Sequence, residues 1–212
     1  MFADRHEAGE KLAEALRPVA GAQTLVLGLP RGGVVVAAVV ARVLQAEWDV
    51  VLVKKLRAPG NPELALGAVA EDGLVHLNHD VARLTGATES YILREQTERL
   101  QEMRAQAAAY RAVHPRIDVS DRTVVLVDDG LATGATMLAA VQCTALGNPA
   151  RLLVAVPVSP CDTAQIIAQL ESVDQFVCLE TPSWFGGVGQ FYGDFAQVPD
   201  QEVVRLLREA AR

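Results

Sequence analysis

The sequence predicts an α/β protein in which helices flank a mostly parallel β-sheet. Short apolar runs rich in β-branched residues alternate with helical segments along the chain, and this alternation favours right-handed βαβ crossovers. Hydrophobic residues make up 50% of the chain and aromatic residues only 5%, a balance typical of a sheet covered by helices. The 212 residues suffice for one substantial core, so we expect a single domain over residues 1–212.

Within this domain we expect three parts. The alternating strands and helices of about residues 22–180 form the core. An insertion of about residues 58–116 contains a hairpin signal and a long helical segment, and we interpret it as a lid. About residues 181–212 form a C-terminal hood, rich in glycine and aromatic residues, followed by a helix.

Charge and cysteine content argue against several classes of protein. A net charge of −7 leaves no basic field for nonspecific binding of nucleic acid. Cys143, Cys161 and Cys178 form no CxxC pair, which argues against a disulfide framework or a zinc site. The amino-terminal segment is too charged for a signal peptide, and the apolar run 32–40 is far shorter than the ~20 residues of a membrane span. We therefore expect a cytoplasmic protein.

Capping and turn residues predict where the elements of the first half begin. Asp4 and Glu7 form a capping box, Asp72-Gly73 is a two-residue hairpin signal, and Asn78 and Thr88 are expected N-caps. The predicted elements are a helix over 5–20, a strand over 24–29, a helix over 34–45, a strand over 49–53, a shaped loop over 58–67, a hairpin over 68–77 and helices over 79–85 and 89–111.

The second half continues the alternation of strands and helices. Ser159 and Pro160 are the expected N-cap and first residue of a helix, and Pro199 opens the last one. The predicted elements are strands over 123–127, 151–156 and 175–179 and helices over 137–146, 160–170 and from 199 onward. His76, His79 and His114 form no metal-ligand pattern and are interpreted as surface or hairpin residues.

The segment from Thr123 to Met137, TVVLVDDGLATGATM, is the centre of the functional prediction. Its apolar strand ends at two adjacent carboxylates, Asp128 and Asp129. Ligands of open α/β sheets bind at the carboxyl ends of the strands, so the two acids are placed where a ligand binds.

The residues after the two acids predict a phosphate-binding bend. Gly130 and Gly134 permit close backbone approach, and the following helix contributes its N-terminal partial positive charge. Thr133 and Thr136 add hydroxyl donors. Ordinary turn punctuation explains a single acidic pair or a single Thr-Gly pair, but it is a poor explanation for the whole combination behind a buried strand.

The run VLVDDGLATGATM resembles the phosphoribosyl-pyrophosphate (PRPP) motif of type I phosphoribosyltransferases, in which two acids follow an apolar strand and precede a TGxT loop. The resemblance implies a Rossmann-like core in which the acids are catalytic and hold the ribose hydroxyls, while the bend holds the 5′-phosphate. The residues given this ribose-5-phosphate role are Asp128, Asp129, Gly130, Ala132, Thr133, Gly134, Ala135 and Thr136. Members acting on 6-oxopurines carry Asp immediately before TGxT. Ala132 stands there instead, so the loop is closer to that of the adenine branch.

A second anion site is predicted at Pro30-Arg31-Gly32-Gly33, between a strand and a helix. Glycine N–H groups and a guanidinium favour an anion, although a plain helix-entry turn is the alternative for this sequence alone. By the resemblance, Arg31, Gly32 and Gly33 bind pyrophosphate.

Lys54 and Lys55 follow the predicted strand 49–53, and Arg57 lies nearby. A solvated edge is the alternative for such a cluster, but cations at a strand end in an acidic chain favour an anion. The resemblance extends the pyrophosphate role to Lys54 and Lys55, and less firmly to Arg57.

No motif in the sequence identifies residues that bind the acceptor of the phosphoribosyl group. Trp184, Phe185 and Tyr192 lie in a glycine-rich segment and either stack on a planar base or fill the core under a hood; we name them as the acceptor-binding candidates. Glu63 is the candidate acid or base of the lid, and ordering of its loop is an equal alternative.

The resemblance implies a homo-oligomeric enzyme that transfers 5-phosphoribosyl from PRPP to a nitrogen acceptor such as a nucleobase, releasing pyrophosphate. Mg²⁺ is the expected cofactor, held mainly by PRPP oxygens and water, with Asp128 and Asp129 as direct or water-mediated ligands. Two other interpretations remain. One is a regulatory protein of the same fold that senses PRPP or a nucleotide. The other is a phosphohydrolase, for which the sequence lacks a second cluster of metal ligands.

Overall fold

The computed structural model describes residues 1–21 and 23–210. Eight strands are present in these ranges. In chain order they are β1 (Thr24–Gly28), β2 (Glu47–Val50), β3 (Val53–Ala58), β4 (Asn61–Ala70), β5 (Val75–Leu77), β6 (Thr123–Val127), β7 (Arg151–Val158) and β8 (Gln175–Glu180).

Helices separate β1 from β2, β5 from β6, β6 from β7 and β7 from β8, whereas β2 to β5 follow one another without a helix. The described α-helices are α1 (Arg5–Leu16), α2 (Gly32–Leu44), α3 (His79–Leu84), α4 (Glu89–Arg111), α5 (Ala135–Ala145), α6 (Cys161–Ala168) and α7 (Asp200–Ala210), and a 3₁₀ turn spans Val188–Phe191. No helix of the described ranges is both long and apolar enough to cross a bilayer.

The predicted N-caps of α1, α3 and α4 are confirmed. The side chains of Asp4, Asn78 and Thr88 each accept a hydrogen bond from a backbone N–H of the first turn. The predicted cap of α6 is wrong by one residue, because Pro160 is the N-cap and the Ser159 hydroxyl instead donates to the Pro160 carbonyl.

The main sheet has five parallel strands in the order β2-β1-β6-β7-β8, which confirms the predicted fold class. One apolar cluster joins α1, α2 and α7 to one face, and a second joins α5 and α6 to the other. Strand β1 is buried throughout and β6 from Val124 to Val127, as expected of strands covered on both faces. The carboxyl ends of β1 and β6 therefore meet at one edge of the sheet, next to each other.

A second, antiparallel sheet of β3, β4 and β5 corrects two predictions. The strand predicted over 49–53 ends at Val50, so Lys54, Lys55 and Arg57 belong to β3 and do not follow a strand of the main sheet. The loop predicted over 58–67 is mostly β4, because only residues 59–60 form a turn, with Gly60 at a φ of +71°. The β4–β5 hairpin around Asp72-Gly73 is confirmed.

A buried ion-pair network fixes the C-terminal end of α4 to β2. Arg111 Nη1 lies 2.7 Å and 2.9 Å from the two carboxylate oxygens of Asp49, and its Nη2 lies 2.5 Å from Glu71. His114 is buried beside the same Asp49, with Nδ1 at 3.5 Å, so its predicted surface position is wrong. Both charged partners of Arg111 are largely shielded from water, and the long helix is therefore held firmly against the core.

Candidate active site

The two acids lie directly after β6, at the edge where the carboxyl ends of the parallel strands meet. The Asp129 backbone N–H donates to Asp128 Oδ1 at 2.8 Å. Burial raises the pKa of Asp128 well above its usual value, and the neighbouring Asp129 charge raises it further. Burial also raises the pKa of Asp129. The pair therefore holds a proton more readily than two exposed carboxyls would.

Asp129 has a partner that the sequence did not indicate. Arg5, the first residue of α1, places Nε 2.8 Å from Asp129 Oδ2, and the two side chains are only 10% and 14% exposed. This guanidinium lowers the pKa of Asp129 and so partly offsets the effect of burial. Tyr192 donates its hydroxyl to the Asp129 carbonyl at 2.6 Å. The second acid is thus held from both ends of the chain.

The bend after the acids is open and faces a cavity. Ala132, Thr133, Ala135 and Thr136 are exposed, and the bend lines a pocket of about 210 Å³ that Asp128 also reaches. Gly134 has a φ of +72° and is the N-cap of α5, which explains why glycine is needed there. The N–H groups at the start of α5 therefore adjoin the pocket.

The remaining side of the bend is fixed by neighbouring elements. Leu131 N–H donates to the Val158 carbonyl at 2.9 Å. Thr163 on α6 donates its hydroxyl to the Ala132 carbonyl at 2.9 Å. These bonds hold the backbone of the bend while its other face stays accessible.

The Pro30-Arg31-Gly32-Gly33 loop packs directly against the two acids. A Cβ built on Gly32 would lie 1.8 Å from Asp129 Oδ2, and one on Gly33 would lie 2.7 Å from Asp128 Cα. The Pro30–Arg31 peptide bond is cis. Gly32 and Gly33, the first two residues of α2, therefore permit the close approach of this segment to the acids, and Gly32 is partly exposed there whereas Gly33 is buried.

Arg31 of this loop faces α4 and α7. Its Nη1 lies 3.6 Å from Asp200 Oδ2. The other oxygen of Asp200 accepts hydrogen bonds from Tyr110 at 2.5 Å and Gln106 at 2.9 Å, and the Tyr110 hydroxyl holds the pKa of Asp200 below its usual value. Asp200, which belongs to α7 and accepts hydrogen bonds from α4, therefore lies beside the Arg31 guanidinium of the predicted pyrophosphate-binding segment.

Lys54 and Lys55 reach the site from the second sheet. Together with Leu29, Pro30, Gln106 and the residues Thr133 and Thr136 of the bend, they line a cleft of about 460 Å³. Lys54 Nζ is 3.9 Å from Glu102 on α4. Arg57 instead pairs with Glu95 of α4, with Nε at 2.8 Å. The two lysines, but not Arg57, thus line the same cleft as the bend.

The aromatic candidates of the C-terminal segment lie in three different environments. Trp184 is 74% exposed. Phe185 packs against Phe191, with ring centroids 5.5 Å apart. Tyr192 is buried between Phe2 and Phe195, so its ring packs inside the protein and cannot stack on a ligand. Val188 of the same segment lines the pocket at the bend, which places this segment beside the acids.

The donor set fits a magnesium ion that arrives with a phosphorylated ligand. In residues 1–21 and 23–210 no group of three or more His, Cys, Asp or Glu side chains could hold a metal. Asp128 and Asp129 nevertheless offer adjacent carboxylate oxygens, the hard ligands that Mg²⁺ prefers, and Mg²⁺ commonly takes its other ligands from phosphates and water.

Sequence reasoning missed Arg5, Gln106, Tyr110 and Asp200 because each reaches the site by tertiary contact from a helix outside any motif. Only the position of Arg5 beside the capping box was available as a signal. Glu63 lies in β4, and its side chain is outside the part of the chain that the structure describes.

The fold and the cleft define an α/β domain with an open bend at the start of a helix, an arrangement suited to phosphate groups. The chain belongs to the phosphoribosyl transferase domain family, whose model matches residues 5–195. It is therefore a member of a transferase family that uses PRPP.

Relatives and a solved structure agree with this family. A Mycobacterium tuberculosis (strain H37Rv) protein, provisionally named a phosphoribosyl transferase, is 44% identical over 213 residues, covering 100% of this chain and 47% of that protein. The chain thus spans about half the length of the curated relatives it matches. The crystal structure of TT1426 from Thermus thermophilus superposes with a TM-score of 0.93 at 46% identity, covering 98% of each chain. The AQ2163 protein of Aquifex aeolicus, at 12% identity and a TM-score of 0.50 over 84% of this chain and 72% of that one, shares the fold.

Proposed function

We propose that this chain transfers the 5-phosphoribosyl group of PRPP to a nitrogen acceptor, with a nucleobase as the favoured class. The observation that supports this most strongly is the shared wall of two cavities. Thr133, Ala135 and Thr136 border both the pocket next to Asp128 and the larger cleft that contains Lys54 and Lys55. A ligand with a phosphate at one end and a pyrophosphate at the other fits this arrangement.

The ribose 5-phosphate half of PRPP occupies the pocket at the bend. The backbone N–H groups from Ala132 to Thr136 and the start of α5 bind the 5′-phosphate. Asp128 and Asp129 accept hydrogen bonds from the ribose hydroxyls. Gly130 supplies the sharp change of direction between the acids and the bend.

The pyrophosphate half lies toward the larger cleft. Arg31, Lys54 and Lys55 supply positive charge, and Gly32 and Gly33 add backbone N–H groups at the start of α2. Because pyrophosphate gains charge as it leaves, these groups stabilise the transition state more than the ground state. The bond from the anomeric carbon to pyrophosphate breaks, a bond to the acceptor nitrogen forms, and the proton of that nitrogen is released.

Asp128 and Asp129 would hold Mg²⁺, directly or through water, and the ion would neutralise charge on the phosphates. The acceptor side is formed by the C-terminal segment, where exposed Trp184 and neighbouring Phe185 offer aromatic surface. Tyr192 is buried within the same segment, between Phe2 and Phe195, and is not part of the proposed acceptor surface.

A screen for pyrophosphate release tests the proposal. Purines, pyrimidines and other nitrogen compounds are supplied with PRPP and Mg²⁺, and at least one is expected to give stoichiometric pyrophosphate and an N-ribosyl 5′-phosphate. Asp129→Asn is the control and is expected to abolish release while the protein stays folded. PRPP binding without turnover on any acceptor would contradict transfer and favour a sensor of PRPP. Phosphate release from simple phosphoesters without PRPP would favour a phosphohydrolase.

A further inference from the structure

We infer that Arg5 is a positioning residue for PRPP, acting through Asp129 rather than by touching the substrate; this inference rests on the proposed function. Its Nε donates to Asp129 Oδ2 at 2.8 Å. That bond holds one carboxylate oxygen, so the guanidinium fixes the orientation of the carboxylate and with it the direction of its second oxygen.

The guanidinium is itself held in place. Its Nη1 donates to the Ala196 carbonyl at 2.9 Å, and its central carbon lies 4.0 Å from the centroid of the Phe195 ring. Cation–π contacts of this kind are strengthened when the cation is desolvated, and Arg5 is 9% exposed. Because these contacts fix the Arg5 guanidinium, they also fix the position of the Asp129 carboxylate that it binds.

The backbone of Asp129 is fixed from the same region. Tyr192 binds its carbonyl, and the segment around Tyr192 is tied to the amino terminus by Phe2 N–H to the Phe191 carbonyl at 2.7 Å and Gly193 N–H to the Phe2 carbonyl at 2.8 Å. Asp129 is therefore held at its carbonyl by the C-terminal segment and at its carboxylate by α1. The amino-terminal residues and the segment around Tyr192 pack together, and together they fix the geometry of Asp129.

Alternatives to a positioning role differ in what they predict. If Arg5 only stabilises the fold, then its loss lowers the free energy of unfolding and leaves the PRPP affinity of the folded protein unchanged. If it positions Asp129, then the PRPP affinity of the folded protein falls beyond any change in stability, because the hydrogen bond from a ribose hydroxyl to the carboxylate is lost and a hydrogen bond to a charged group is worth about 10–10²-fold in affinity. Arg111 provides the matched control, as it is a second shielded arginine bound to two acids but lies outside the PRPP site.

The experiment compares wild type, Arg5→Met, Arg5→Lys and Arg111→Met by calorimetric titration with PRPP and Mg²⁺, by steady-state kinetics and by urea unfolding. Arg5→Met is expected to weaken PRPP binding about 10–10²-fold, with a matching rise in KM. Arg5→Lys should recover part of this loss, and Arg111→Met should lose stability while it keeps wild-type PRPP affinity.

Two outcomes overturn only the positioning role of Arg5, and a third overturns the proposed function as well. If wild type binds PRPP and Arg5→Met binds it within twofold, only the positioning role is overturned. The same holds if Arg111→Met loses as much affinity as Arg5→Met, since the loss then follows stability alone. If wild type itself binds no PRPP, the proposed function fails and the positioning role fails with it.

Discussion

At the scale of single residues, the site depends on how closely the β1–α2 loop approaches the two acids. Gly32 and Gly33 were singled out in the sequence as donors to an anion. The structure adds a steric reason for both, because any side chain there meets Asp129 or Asp128. Gly32, which is partly exposed at the start of α2, is placed to serve both functions, whereas buried Gly33 is explained by the steric requirement.

Gly32→Ala is predicted to weaken PRPP binding by at least tenfold. The new Cβ would lie 1.8 Å from Asp129 Oδ2, so the carboxylate has to move, and loss of a hydrogen bond to a charged group costs about 10–10²-fold in affinity. Calorimetric titration with PRPP measures the change.

Gly21→Ala is the matched control for this variant. A Cβ on Gly21 meets nothing within 4 Å, and the residue is exposed. Equal PRPP affinity in Gly32→Ala and wild type would show that the carboxylate is not the group that holds the ribose.

At the scale of elements, the main sheet was predicted well and the second sheet was not. The apolar run before Asp128 and the helix signals at Asn78 and Thr88 depend only on neighbouring residues in the sequence. Each of these predictions is confirmed. Strand β4 was mistaken for a loop because Pro59 and Pro62 both suggested turns. Only the first of them lies in one, and Pro62 stands at the start of the strand, where a missing N–H is tolerated.

Tertiary contacts explain what the sequence could not predict about the site. Arg5 and Asp129 are 124 positions apart, and Tyr110 and Asp200 are 90 apart. A pattern within either segment contains no information about its partner. The local motif therefore located the acids and the bend, whereas the groups that orient them required the fold.

Helix α4 is predicted to depend on Arg111 for its attachment. Removing one partner of a buried ion pair leaves charges without compensation and typically costs about 3–5 kcal/mol. Arg111→Met leaves the shielded carboxylates of Asp49 and Glu71 without their cation. The free energy of unfolding should therefore fall by about 3–5 kcal/mol. Urea denaturation followed by circular dichroism gives the value.

Arg104→Met on the same helix is the comparison, because Arg104 is exposed. Its unfolding free energy should stay within about 0.5 kcal/mol of wild type. A similar small change for Arg111→Met would mean that the network with Asp49 does not hold the helix.

At the scale of the whole molecule, the site is assembled from distant parts of the chain. The main sheet contributes the acids and the bend, the antiparallel sheet contributes Lys54 and Lys55, and α1 and the C-terminal segment together fix Asp129. Such a site forms only when these parts pack together. The match to the family model, over residues 5–195, includes all of these parts.

The most direct test of the central claim is a calorimetric titration of the wild-type protein with PRPP in the presence of Mg²⁺. The account predicts a saturable heat with one PRPP bound per chain, and loss of that heat in Asp129→Asn although this variant remains folded. A flat titration of the folded wild-type protein would contradict the assignment of the two acids and the bend as a PRPP site.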